Sequence, residues 1–341
     1  MENSTERFGY DDAARARDLL VSDLQGHGME PAQVKDMVIL GSGLDTFGYD
    51  HMDEGNAGNE SGPIKIPFNR FYNDLGIDSL KGSVQGHSRS LVVGPMSGDS
   101  SGRLVLAQSG REHPYEGVAT KRATFWLRVA QLMGVENLIG SNASGSLTPG
   151  SLGTGDLMLV HSEKDYGMDN PLIGENDERF GPRFPHRGDH YPAETGKLVK
   201  IVAARMGINL IEGTYVRMTG PNYESTEQVY DLRAMLDEMW HQGRVQNDAR
   251  FKQPFTVGTA GMSSTFENMV AQHASQSMEN PAFKNRAYIS AVTNYAAMLG
   301  PLGLVEGELK HDHVKDAAGQ MRGNFGHLVK NVLLELRGGQ A

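Results

Sequence analysis

Four short stretches carry side chains whose types and spacing suit chemistry on an anion and a flat ring. The first is SGREHPYEG, Ser109 to Gly117. Arg111 offers a planar fork of donors that matches phosphate oxygens. His113, two residues on, points the same way if the backbone is extended, and Tyr115 continues that face. Glu116 can hold His113 in one tautomer or charge state. A surface salt-bridge cluster would use the same residues, but this one directly follows an apolar run, and α/β proteins place ligands at strand ends. The second stretch, TGPNYES, sets Tyr223 beside Glu224. The ring offers a flat apolar face and the carboxylate accepts ring N–H groups, although an acid is also favoured there by the start of the following helix. The third, Thr293-Asn294, supplies an amide that both donates and accepts. The fourth is LIGSNASGSLTPG, Leu138 to Gly150, where an apolar run meets residues that are all small or turn-forming except Leu147. It reads as a buried strand that breaks into a small-residue turn. Such a turn is either a tight crossover or a place where backbone N–H groups close on an anion.

Two further motifs are less specific. GSGLDTFG follows a strand, but a dinucleotide fingerprint needs Gly at the position of Thr46, and a P-loop needs a lysine that is absent. What remains is a two-glycine turn with the Ser42 hydroxyl, suited to a phosphate oxygen. His311-Asp312-His313 has too few partners for a metal site and reads as a solvated helix start, with His311 in reach of a hydroxyl.

Those side chains need a scaffold, and composition bounds it. The 341 residues are 38% hydrophobic, enough for one large domain or two ordinary ones. The 42 acidic residues outnumber the 32 basic ones, which argues against non-specific nucleic-acid or anionic-membrane binding. With no cysteine, disulfides, thiolate catalysis and Cys-based metal sites are excluded. The start, MENSTERFGYDD, lacks the apolar core of a secretory signal, and no run approaches the ~18 apolar residues of a membrane helix. A cytoplasmic protein is expected.

Strands and helices alternate along the chain, so the class is α/β. Helices are predicted over Asp11–Gln25, Thr120–Met133 and Ala193–Met206. A further helix has Ser225 and Gln228 in capping-box spacing and Val229, Leu232 and Leu236 as its apolar stripe. A long C-terminal helix carries Leu328, Val332, Leu333 and Leu336. Strands are predicted over Met37–Leu40, Ser90–Gly94, Leu104–Gln108, at Leu138, and over Asp156–Val160, Gly213–Met218 and Ala287–Val292. Residues Asp165 to His190 form a polar stretch too long for a simple turn. Residues Glu238 to Pro254 and Gln276 to Arg286 look like insertions. No repeat or linker divides the chain, so residues 1–341 are expected to form one domain.

In order, the blocks ILGSGLD, GHSRSLVVG, QSGREHPYEG, GVENLIGSNASGSL, GDLML, NPLIGENDERFG, EGTYVRMTGPNYEST, GMSSTFE, VTN and KHDHV span most of Val38 to Val314. Together they resemble the trimeric purine nucleoside phosphorylases. The resemblance implies a single domain with a central mixed, partly barrel-like β-sheet flanked by helices, a homotrimer, and no metal or organic cofactor. It implies phosphorolysis of a purine nucleoside to free base and ribose 1-phosphate. Phosphate would meet Ser42, His87, Arg111, His113, the backbone near Ala143, and Ser263. The ribose would meet Tyr115, Met262 and, at its 5′-hydroxyl, His311. The base would lie against Tyr223 and Gly145, with Glu224 and Asn294 reading its edge. His113, Glu116, Glu224 and Asn294 are the residues expected to carry the chemistry.

Some positions depart from the family pattern. Asp45 stands where Gly is usual, adding an acid near the phosphate loop. Tyr223 stands where Phe is common, and its hydroxyl bears on base choice, towards xanthosine. Asn294 stands where the methylthioadenosine branch carries Asp, which favours a 6-oxopurine such as inosine or guanosine, because an amide donates to a carbonyl. A xanthosine- or methylthioadenosine-preferring phosphorylase and a non-catalytic purine-binding protein are the competing readings.

Overall fold

Strand β1, Val34–Leu40, explains the architecture, because Met37, Val38, Ile39 and Leu40 are all fully buried. A strand with no polar side must be covered on both faces. Met37 and Ile39 belong to one apolar cluster with Leu20 and Trp126, while Val38 and Leu40 belong to another with Leu328 and Val332. Alternate side chains thus serve two helical layers. The computed structural model describes residues 7–41, 43–44, 47–52, 62–80, 88–188, 191–246, 257–300, 303–304 and 311–338.

The other strands of the main sheet are β2 (Ile64–Pro67), β3 (Ser90–Pro95), β4 (Leu104–Ser109), β5 (Asn137–Ser146), β6 (Leu157–Asp165), β7 (Leu210–Arg217), β8 (Gly258–Gly261) and β9 (Asn285–Tyr295). Their order is β2-β3-β4-β1-β5-β8-β7-β6-β9, and β9 also pairs with β5. The last five strands therefore close into a ring, with β2, β3, β4 and β1 as an open wing. Parallel pairs join β1 to β4 and β5, β5 to β9, β6 to β7, and β7 to β8; the remaining pairs are antiparallel. This is the mixed, barrel-like α/β fold expected.

The helices are α1 (Tyr10–Gly26), α2 (Phe47–Asp50), α3 (Phe68–Leu75), α4 (Thr120–Ala123), α5 (Phe125–Leu132), α6 (Ala193–Arg205), α7 (Thr226–Val245), α8 (Thr265–Ser275) and α9 (His311–Gly338). The helix predicted over Thr120–Met133 is divided in two. Thr124 leaves helical geometry at φ −107°, ψ 8°, and its hydroxyl donates to the Thr120 carbonyl at 2.9 Å. A threonine side chain that competes for a helical carbonyl weakens the helix at that point. The capping box at Ser225 and Gln228 is formed, and Val229, Leu232 and Leu236 pack with Leu147, Val216 and Ala260.

Three other expectations are corrected. The stretch from Gly140 does not break into a turn; β5 continues to Ser146. The small residues leave room for neighbours instead. A Cβ on Gly140 would lie 2.1 Å from Cε1 of Tyr288, its cross-strand partner on β9. Residues 238–245 are the end of α7 rather than an insertion, and residues 247–254 lie outside the described residues. Asn285 and Arg286, read as part of a second insertion, begin β9.

Candidate active site

The cleft opens where β1 and β5 stop pairing. Their last partners are Ile39 and Gly140; beyond them the Gly41 N–H donates to Ser141 Oγ at 3.0 Å. Ser141 Oγ in turn donates to the Ile39 carbonyl at 3.0 Å, tying the diverging ends together. A cavity of about 100 Å³ lies there, lined by Arg111, His113, Tyr115, Ala143, Gly145, Tyr223, Glu224, Met262, Ser263 and Asn294 among others. These ten are all sequence-predicted site residues, drawn from the ends of β4, β5, β7, β8 and β9. Ser42 and His87 lie outside the described residues, as does the side chain of His311, the first residue of α9. Glu116 touches the site through His113.

Four of the lining residues, Arg111, His113, Tyr115 and Ser263, bring donors to the cavity. Arg111 follows β4 and is 3% exposed. Its Nε donates to Glu267 Oε1 at 2.5 Å, and its Nη2 donates to Glu267 Oε2 at 3.0 Å and to the Ser141 carbonyl at 2.5 Å. Burial disfavours its charge, and the Glu267 carboxylate overcomes that cost. His113 precedes a single 3₁₀ turn, Pro114–Glu116, and its Nδ1 lies 3.4 Å from Glu116 Oε1. Burial pushes His113 below its ordinary value, against the pull of Glu116, so the ring is neutral near pH 7. Burial works against the Glu116 charge too, but the His113 hydrogen bonds and the Arg89 charge hold its carboxyl low. Tyr115 continues the His113 face by stacking, at 4.7 Å between ring centroids and 16° between planes. The backbone is extended at His113, φ −113° and ψ 146°, and the 3₁₀ turn begins at the next residue. Ser263 precedes α8 and donates its N–H to Tyr215 Oη at 3.1 Å.

Glu224 and Asn294 line the same cavity and can read a ring edge. Glu224 sits one residue before the Ser225 cap of α7 and is 8% exposed. Burial raises its pKa. No ion pair reaches it among the described residues. Asn294 owes its direction to a β-bulge. Ser144 pairs with Val292, but Gly145 pairs with Asn294, so Thr293 is an extra residue in β9. Regular alternation would send Thr293 and Asn294 to opposite faces; both line the cavity. The one proton of Thr293 Oγ1 has Asn294 Oδ1 at 2.9 Å and the Ser144 carbonyl at 3.2 Å as acceptors, and Asn294 Nδ2 donates to the Tyr295 carbonyl at 3.0 Å. Each amide atom keeps capacity for one more hydrogen bond.

Two contributions to the site are not legible in the sequence. Glu267 stands within the block GMSSTFE, and only its partner 156 residues away reveals its part. The pair Thr293-Asn294 is visible in the sequence, but the bulge that turns the Thr293 hydroxyl to the amide is not.

The chain matches the family model of the phosphorylase superfamily over residues 72–334. It is 31% identical over 305 residues to purine nucleoside phosphorylase 1 of Bacillus subtilis, covering 89% of this chain and 93% of that protein. It is 32% identical to purine nucleoside phosphorylase 1 of Geobacillus stearothermophilus, covering 87% and 89% of the two chains. In fold it is similar to Schistosoma mansoni purine nucleoside phosphorylase solved with inosine, at a TM-score of 0.72 and 24% identity over 97% of this chain and 99% of that one. The chain belongs to the purine nucleoside phosphorylases of the phosphorylase superfamily.

Proposed function

We infer that this protein is a purine nucleoside phosphorylase enzyme that uses inorganic phosphate to cleave the glycosidic bond of purine ribo- and 2′-deoxyribonucleosides. The observation that carries the reading is the lining of one cavity: Arg111, His113 and Ser263, which suit an anion, meet there with Tyr223, Glu224 and Asn294, which suit a purine ring. Phosphate held against Arg111 and His113 would attack C1′ as the C1′–N9 bond breaks, leaving the bonding electrons on the purine. Holding the two reactants together can remove up to ~7–11 kcal/mol of barrier in well-oriented cases. The departing base gathers negative charge. The remaining Asn294 N–H, donated to N7 or to the 6-oxo oxygen, interacts more strongly as that charge develops, which is what accelerates the step, while Glu224 accepting N1–H orients the base.

The amide of Asn294 supports a 6-oxopurine substrate, inosine or guanosine. Phosphate is the co-substrate and no cofactor is invoked. The working assembly in this reading is a homotrimer, and the location cytoplasmic; no described helix is long and apolar enough to cross a membrane. Release of base from inosine, guanosine, xanthosine, adenosine and methylthioadenosine, with and without phosphate, tests the whole reading. Phosphate-dependent release that favours inosine and guanosine is expected. A clear preference for methylthioadenosine would overturn the substrate assignment, and base binding without turnover would overturn the enzyme.

A further inference from the structure

Glu267 does not line the cavity, yet it makes a two-point ion pair with the cation that does. Its two carboxylate oxygens meet Arg111 Nε and Nη2 at 2.5 and 3.0 Å, and both side chains are almost fully buried. Glu267 lies in the first turn of α8. The residues just before that helix, Met262 and Ser263, line the same cavity. Ser264, between them and α8, accepts a hydrogen bond from Asn142 Nδ2 at 2.9 Å, while the Arg111 Nη2 reaches the Ser141 carbonyl. Neighbouring residues of β5 therefore grip Arg111 and the start of α8 at once.

A guanidinium on a long side chain has many rotamers, and a planar fork recognises phosphate only in the right plane. A carboxylate placed where it touches the guanidinium but not the ligand settles that plane before the ligand arrives. We propose that Glu267 is a positioning residue for phosphate, setting the orientation of Arg111 and linking it to Ser263 as one rigid anion-binding unit. The assignment rests on the phosphorylase reading of the site. It predicts a split: phosphate use depends on Glu267, and nucleoside use does not.

Steady-state kinetics of Glu267→Gln and Glu267→Asp, with phosphate and inosine varied separately, test it. Gln keeps the volume but loses one acceptor and the charge; Asp keeps the charge but shortens the reach. The KM for phosphate is expected to rise about tenfold or more in the Gln variant and less in the Asp variant, with the KM for inosine within about twofold. The protection that inorganic phosphate gives against thermal unfolding should weaken in the same order, which reads binding without turnover. In an Arg111→Ala background, adding Glu267→Gln should cost little more, because the pair acts as one unit. An unaltered protein that saturates with phosphate while both variants share its phosphate KM overturns the role of Glu267 alone. So does an equal rise of both KM values, which marks a merely structural residue. An unaltered protein with no saturable phosphate dependence overturns the phosphorylase reading itself, and this assignment with it.

Discussion

The Asn294 amide occupies the space that a side chain at Gly145 would need. A Cβ on Gly145 would lie 2.9 Å from Asn294 Nδ2 and 3.1 Å from the backbone of Ala296. Neither neighbour gives way freely: Asn294 is hydrogen-bonded on both amide atoms, and Ala296 is buried backbone. Gly145→Ala should therefore displace the amide. We expect a loss of stability of about 1–3 kcal/mol, as for other overpacked sites, and a fall of tenfold or more in kcat/KM for inosine, about 1.4 kcal/mol of lost transition-state binding. Denaturant unfolding and initial-rate assays read the two effects apart.

Thr293 holds the other end of the same amide. Thr293→Val keeps the shape of the side chain and removes the hydroxyl that serves Asn294 Oδ1 and the Ser144 carbonyl. A hydrogen bond of this kind contributes about 1 kcal/mol, so kcat/KM for inosine should fall about fivefold, with the KM for phosphate unchanged. Equal activity in the variant would show that the bulge alone orients the amide.

Asn294→Asp replaces a group that donates to a carbonyl with one that accepts from an amino group. The ratio of kcat/KM for inosine to that for adenosine should fall by at least about tenfold, which corresponds to ~1.4 kcal/mol of discrimination. Paired assays on the two nucleosides measure it, and an unchanged ratio contradicts edge reading by this residue.

His273 makes folding sensitive to acid. It is buried at the end of α8, where Arg128 Nη2 donates to its Nδ1 at 2.9 Å and its Nε2–H donates to the Pro182 carbonyl at 3.0 Å. Burial first, and then the neighbouring Arg128 charge, lower its pKa from 6.5 to about 4. The unfolded chain thus takes up a proton near pH 6.5 that the folded protein refuses until about pH 4. The stabilisation is complete above the first value and lost as pH falls to the second. After allowance for solvent screening it amounts to roughly 2 kcal/mol. His273→Gln, which can still accept from Arg128, should show a shallower fall in Tm over that range than the unaltered protein.

The C-terminal helix is anchored at its far end by a buried ion-pair cluster. Arg337 Nε donates to Asp36 Oδ2 at 2.7 Å, and its Nη1 pairs with Asp99. Asp36, fully buried on β1, also accepts from Asn137 Nδ2 at 2.5 Å. Asp36→Ala leaves Arg337 half compensated in a dry setting and should lower stability by about 3 kcal/mol, seen as a lower denaturant midpoint. Because α9 also carries Val314 on the cavity wall, activity should fall on warming before it falls at low temperature.

Elements buried on both faces were legible in the sequence, because such burial demands continuous apolar runs; β1, β4 and the core of β9 are of this kind. β2 and β8 were not. β8 is Gly-Thr-Ala-Gly, with no apolar period to find. Its glycines are small because Leu236 and the Tyr215 hydroxyl occupy the space, each 2.6 Å from a Cβ placed there. The glycine-rich end of β5 was mistaken for a turn for the same reason: what fills the gap beside Gly140 is Tyr288, on another strand.

Residue chemistry was settled by the chain alone: a cation and a histidine two positions apart, a carboxylate beside an aromatic ring, and an amide at a strand end are local patterns that any fold must use or hide. Which of them meet was decided only by the tertiary structure. The closed ring brings β5 and β9 together, a single extra residue turns Asn294 towards Gly145, and α8 returns Glu267 to Arg111 across 156 positions. Contacts of that kind depend on where distant backbones pass within a few ångströms of each other, and no short window of sequence encodes that distance.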